Sequence, residues 1–233
     1  MIKLEEAREF IFNQCLKFST DEVEISKSRG LVLADTVISD DDVPPFPNTA
    51  MDGYAVRAVD TEHAPVELKV IGTLPAGKFP DLEVGPDEAV RIMTGAVIPE
   101  GADSVVMVEK TKEVENGSSV IVEETVKNGN FIRQPGEDFV KGSELFTSGT
   151  LIGAAHIGVF ATIGLEKVTV FKRPVVGVMS TGDELIQGSS QLKPGQIRDS
   201  NRHSIKALLE EIGAEIIDLG LIPDDEKAIE SAL

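Results

Sequence analysis

The segment DDDVPPFPN, residues 40–48, packs three acids and three prolines into nine positions. Proline fixes φ and has no backbone N–H, so neither a helix interior nor a central strand can run through this stretch. It reads as an extended linker that leaves one domain and enters another. Beyond it, from about residue 48 to 138, the pattern is strand-like: VELKVIG, EAVRIM, DSVVMVEK and SVIVEETV alternate with the turn signals Pro-Ala-Gly, Gly-Pro-Asp, Pro-Glu-Gly and Glu-Asn-Gly. Short strands at this spacing predict a small all-β domain.

The flanking sequence has a different rhythm. Leu4, Ala7, Phe10, Ile11 and Cys15 recur at helical spacing and predict a helix over 3–18, closed by Thr20 and Asp21. Val23 and Ile25 suggest a short strand, and SKSRGLVLADTV a short helix followed by a strand. LIGAAHIGVFATI, residues 151–163, predicts an apolar helix with Gly164 past its end. Its glycines lack the following Lys-Ser/Thr of a phosphate loop. KVTVFK predicts a strand. From Arg173 onward the order becomes strand, loop, helix, strand, helix. PVVGVMS and AEIIDLGLI are apolar runs of the kind buried on both faces of a parallel sheet. SNRHSIKALLEEIG lies between them as a helix capped by Ser200 or Asn201 and stopped by Gly213. Two parallel strands leave a sheet unfinished. The expectation is therefore a chain that stops inside an α/β domain; the alternative is a miniature domain completed by the N-terminal helix.

Composition narrows the function classes. A net charge of -18 opposes nucleic-acid binding, which depends on Lys and Arg neutralising phosphates. No apolar run approaches a membrane span, and MIKLEEAREF carries acids where a signal peptide carries bases. The single cysteine, Cys15, excludes an internal disulfide framework and points to a reduced, cytoplasmic setting. His63, His156 and His203 are scattered without zinc spacing.

Four acidic clusters stand out: Asp52 in NTAMDGYAV, Glu137 and Asp138 in IRQPGEDF beside Arg133, Asp183 with Glu184, and Asp224 with Asp225. Taken alone, each of the first two reads first as a turn. The last two follow directly on the two predicted parallel strands. A right-handed crossover puts both loops at the carboxyl edge, where open α/β sheets bind ligands. Carboxylates meeting there suit a divalent cation with oxygen donors, Mg²⁺ above all, while capping of the following helices is the competing reading. Thr94 and Gly95 in RIMTGAVIPEGAD can hold an anion or form an ordinary turn.

PPFPNTAMDGYAV, RIMTGAVIPEGADSVVMVE, IRQPGED, STGDEL, GQIRDSN and LGLIPDD occur in one order along the chain. Together they resemble the MoeA/gephyrin family, the molybdopterin molybdenumtransferases. The resemblance implies a multidomain α+β protein in three parts: an inserted all-β domain over 44–138, a discontinuous α+β domain from 23–43 and 139–169, and an incomplete, molybdopterin-binding-like α/β domain from 1–22 and 170–233. It implies a homodimer whose cleft sets Asp52, Thr94 and Asp138 of one subunit across from Glu184 and Asp224 of the other. It implies molybdate and adenylylated molybdopterin as substrates, AMP as a product, Mg²⁺ as cofactor, and contacts with other cofactor-biosynthesis proteins. Asp52, Asp138, Glu184 and Asp224 match family catalytic positions. Glu184, Asp224 and Asp52 are the expected cation ligands. Thr94, Arg133, Asp183, Asp199 and Asn201 are the expected ligand-binding residues, with Arg91, Arg198 and Arg202 available for phosphates. The family's later Ser-Gly-Gly and Gly-Asp motif and its C-terminal β domain have no counterpart here, so full catalysis by this chain alone is not expected. Two competitors remain: the adenylyltransferase that makes the adenylylated intermediate, which shares the α/β fold but not PPFPNTAMDGYAV, and a non-catalytic molybdopterin-binding scaffold.

Overall fold

The computed structural model describes residues 2–15 and 18–233. The fold is mixed α/β, with four α-helices and a six-stranded mixed sheet among the described residues. The chain forms two compact units: Ile38–Leu145 is one, and the chain up to and including Val37 joins Phe146–Leu233 to make the other.

In the Ile38–Leu145 unit, the β-branched runs become strands in the order Ser104–Met107, Gly53–Val56, Glu88–Ile92, Val66–Leu74, Ser119–Val122, Thr111–Val114. Only Val66–Leu74 with Glu88–Ile92 is parallel; the remaining pairs are antiparallel. Every residue of Gly53–Val56 is buried. Alternation sends Tyr54 and Val56 into one apolar cluster with Leu68, Val106, Val120 and Val122. Ala55 joins the other, with Val90, Ile92 and Val105. Gly53 has no room for a side chain, because a Cβ there would lie 2.0 Å from the Val106 carbonyl oxygen.

The proline-rich segment is extended, as its composition requires, but it is not a free linker. It lies within this unit and is stitched down through its carbonyls, the groups proline retains. Pro44 accepts from Gly136 N–H at 3.0 Å and Pro47 from Ile98 N–H at 3.1 Å, while Val43 N–H donates to Phe139 at 2.8 Å. The two ends of the unit are also joined. Ser39 N–H donates to Ser143 at 3.0 Å, and Gly142 N–H to Ser39 at 2.7 Å.

In the other unit, Thr20–Glu24, Lys167–Phe171 and Val32–Leu33 form an antiparallel sheet with Lys167–Phe171 in the centre. Thr20 and Asp21 are thus strand residues rather than a helix stop. The apolar helix runs from Ala154 to Thr162, starting after Gly153, and Gly164 follows it with φ +76°. Its Phe160 is fully buried among Leu33, Ile152, Val168 and Val170, edge-on to Phe146 at 5.7 Å. Helix Leu4–Gln14 buries none of its residues, and the rest of the predicted 3–18 span includes positions outside the described residues.

Val175–Thr181 and Glu215–Ile222 pair in parallel, as expected. Burial on both faces is not observed: Val178 is buried, but Val175 and Ile217 are exposed. Among the described residues the pair has no third strand, and helices Asn201–Glu211 and Glu226–Ala232 are too few to cover two faces.

Candidate functional site

The turn after Val175–Thr181 carries Asp183 and Glu184, and the turn after Glu215–Ile222 carries Asp224 and Asp225. Because the strands are parallel, Thr181 and Ile222 stand opposite one another and both turns leave from the same edge. They touch there: Gly182 N–H donates to the Ile222 carbonyl, and Asp224 N–H to the Asp183 carboxylate, each at 3.4 Å. Gly182, at φ +145°, lets the turn fold back, since a Cβ would meet the Glu184 carboxylate at 2.6 Å. Asp183, Glu184 and Asp224 are all solvent-exposed. Asp225 caps helix Glu226–Ala232 by accepting from Ala228 N–H at 2.9 Å, the capping alternative for that residue.

Asp199 and Asn201 follow on the short parallel pair Leu185–Ile186 and Ile197–Arg198. Asn201 is the exposed first residue of helix Asn201–Glu211. Asp199, expected to face a ligand, is buried and its carboxylate is occupied. It accepts from Ser180 Oγ at 2.9 Å and from Arg202 Nε at 2.9 Å. Burial raises its carboxyl, but the hydrogen bonds from Arg202 and Ser180 outweigh that and leave it below the usual carboxylate range. Arg202, a candidate phosphate ligand from sequence, is only 2% exposed and spans Asp199 and Asp218. Asp218 also accepts from Lys206 Nζ at 2.6 Å. These bonds hold the Asp218 carboxyl far below its ordinary value, Lys206 contributing most. Ser180, Lys206 and Asp218 were not anticipated. The available signal was Asp218 itself, the one charge inside IIDLGLI.

The second set of candidates lies in the Ile38–Leu145 unit. Asp52 Oδ1 accepts from both the backbone N–H and the hydroxyl of Thr94, each at 2.7 Å. The Thr94 backbone bond, then its hydroxyl, and more weakly the charge of Arg91 hold the Asp52 carboxyl below its ordinary 3.8. A depressed carboxyl contributes its link above the unfolded value and loses it as pH falls through the folded one. Thr94→Val is therefore expected to raise the Asp52 titration midpoint toward 3.8 without reaching it, read by carboxyl NMR. An unchanged midpoint would show that the hydroxyl does not hold the carboxylate. Arg91 lies over the Tyr54 ring at 5.0 Å, and its Nη1 is buried without a hydrogen-bond partner. Arg133 Nη2 donates to Asp138 at 2.6 Å and Nε to Glu137 at 3.2 Å. The two pairs share a support: Asn48–Thr49 is paired with Ile132–Arg133, and its Thr49 carbonyl accepts from Gly95 N–H at 2.9 Å.

No group of three acidic, His or Cys side chains is gathered among the described residues. Two carboxylates from the exposed turns that carry Asp183, Glu184 and Asp224 would still suit one cation class. Mg²⁺ keeps most of its water and takes one or two carboxylates together with ligand phosphates, which two exposed acidic turns in contact can offer. Asp52, the third expected ligand, lies in the other unit.

Residues 2–164 match the family described as "MoeA N-terminal region (domain I and II)". The chain belongs to the MoeA family. Within this MoeA chain, residues 177–233 match a "probable molybdopterin binding domain", the segment that holds both acidic turns. Similar proteins include the molybdopterin molybdenumtransferase of Nostoc sp., 38% identical over 98% of this chain and 54% of its own length. That of Haemophilus influenzae is 40% identical over 100% of this chain and 57% of its own length. The crystal structure of the molybdopterin biosynthesis MoeA protein from Pyrococcus horikoshii OT3 superimposes with a TM-score of 0.88 at 34% identity, covering 100% of this chain and 62% of that one. The chain thus spans about half the length of the curated relatives it matches. No helix among the described residues is long and apolar enough to cross a membrane.

Proposed function

We propose that this chain serves molybdenum-cofactor biosynthesis by supplying the acidic turns of a site that transfers molybdenum from molybdate to adenylylated molybdopterin, with release of AMP. The observation that carries this reading is the contact between the 182–184 and 222–224 turns at one sheet edge, inside the segment that matches a molybdopterin-binding domain. Glu184 and Asp224, with Asp183, would hold Mg²⁺; when bound, the ion neutralises charge building on the phosphates as the adenylyl linkage breaks. Asp52 is fixed by Thr94 as an ionised acceptor, suited to orient water or a ligand hydroxyl. Arg133, already pointed by Asp138 and Glu137, offers a planar donor for an oxyanion. In this reading the protein works as a homodimer, with Asp52, Thr94 and Asp138 of one copy facing the acidic turns of the other, in the cytoplasm and alongside other cofactor-biosynthesis proteins.

Glu184→Gln keeps the size of the side chain and removes its charge. Made at the matching position of a full-length relative, it is expected to weaken Mg²⁺-dependent AMP release from adenylylated molybdopterin by roughly 100-fold, the scale on which loss of one charge-stabilising group acts. Binding of adenylylated molybdopterin is measured in parallel by calorimetry. A wild-type chain that does not bind it, or a variant that releases AMP at the original rate, would sink the assignment.

A further inference from the structure

The parallel strands that carry the acidic turns are not in simple register. Val178 stands opposite Asp218, but Met179 stands opposite Gly220, so Leu219 is an extra residue. Gly220 takes φ +82°, a left-handed conformation that glycine adopts without strain. The bulge determines that Thr181 meets Ile222 and hence that the two turns touch. One residue of slip moves a strand end by about 3.3 Å and turns its side chains to the opposite face.

A charge network reaches this bulge from the buried Asp199–Arg202 pair to the exposed Asp218. Asp218 accepts Gly220 N–H at 3.0 Å across it and is held from outside by Lys206 Nζ at 2.6 Å and by Arg202 Nη1. The same guanidinium donates through Nε to Asp199, which accepts the hydroxyl of Ser180 on the facing strand. Ser180, Asp199, Arg202 and Asp218 therefore tie the two strands through one helix, two residues before Gly182 and at the bulge. Stability alone does not call for such an arrangement. Buried ion pairs are often replaceable by apolar residues without loss, and their best-attested use is to specify register. Arg202 even keeps Nη2 buried with no hydrogen-bond partner, an unfavourable feature in a purely stabilising role.

We propose that Arg202 is a positioning residue: by bridging Asp199 and Asp218 it locks the bulge, and with it the register at which Asp183 and Glu184 meet Asp224. The importance of that register for ligand binding rests on the function proposed above. Lysine retains the charge but cannot bridge both carboxylates, because a single ammonium lacks the rigid fork of a guanidinium.

The test compares wild type and Arg202→Lys in this chain by amide hydrogen exchange and by titration with Mn²⁺ alone. In the variant, exchange at Gly182 and Asp224 is expected to rise at least tenfold while the amides of Lys167–Phe171 keep their rates, and Mn²⁺ binding to weaken about tenfold. Unchanged exchange at the two turns in a folded variant overturns the proposal. So does an equal rise across Lys167–Phe171, which marks a merely structural role. If Arg202→Lys does not fold, Ser180→Ala cuts the same link at its neutral end, and the same pattern of exchange decides. A wild-type chain that ignores Mn²⁺ counts against the proposed function, whereas the exchange measurement still decides the role of Arg202.

Discussion

Gly53→Ala is expected to destabilise the Ile38–Leu145 unit by about 3 kcal/mol or more, the upper range for overpacking a core. Gly53 pairs with both Met107 and Ile92, so its strand is held on two sides and cannot shift sideways. The added methyl would lie 2.0 Å from the carbonyl oxygen and 2.9 Å from the carbonyl carbon of Val106. These are backbone atoms, and no rotamer change relieves the clash. The strands must separate, which breaks the ladder between the two apolar clusters. The chain has no tryptophan and a single tyrosine, Tyr54, the residue after Gly53. Urea unfolding followed by tyrosine fluorescence therefore reports on this sheet directly. A midpoint within the range of ordinary surface substitutions, about 0.5 kcal/mol, would show that the strand pair yields more easily than its geometry implies. Function should follow stability here, because Asp52 is the preceding residue and its bond to Thr94 depends on where the strand begins.

Phe160→Ala should cost the other unit about 3–5 kcal/mol, the range for emptying a buried aromatic site. Phe160 is fully buried, and its neighbours come from separate elements: Leu33 from one strand, Val168 and Val170 from another, and Phe146 edge-on. Such a site collapses poorly around a void, because Leu33, Phe146, Val168 and Val170 are held in hydrogen-bonded strands. Hydrogen exchange of the Val168 and Val170 amides, both inside the Lys167–Phe171 strand, measures the loss. Protection factors that fall less than tenfold, about 1.4 kcal/mol, would mean that the core refills the cavity.

Local chemistry was the legible part of this protein. The runs that became Val66–Leu74, Glu88–Ile92 and Ser119–Val122 stood out because β-branched residues between turn signals favour one outcome. The parallel pairing of Val175–Thr181 with Glu215–Ile222 followed from handedness, and the placement of both acidic turns at one edge came with it. Long-range partners were not legible. Nothing local says that Thr94 holds Asp52, a bond across forty-two positions. Nor does RDSNRHS show that Asp199 turns inward to Ser180 and Arg202 instead of outward to a ligand. That outcome depends on the strand lying beneath the helix, and on Asp218 waiting there as a second acid. The proline-rich segment misled in an instructive way. Its lack of donors excluded a central strand, yet its carbonyls still accept hydrogen bonds, and they anchor it within a folded unit.

The hydrogen bonds between Ser39 and Ser143 and between Gly142 and Ser39 bring the beginning and end of the Ile38–Leu145 unit side by side. A module whose ends meet can be spliced into a surface hairpin of a host without forcing the host's own ends apart. It can equally be lifted out, rejoined head to tail, or reopened at another loop while its strand order survives. In evolutionary terms, this part of the chain has the anatomy of a cassette, free to accept change in its own turns while its host keeps a separate core.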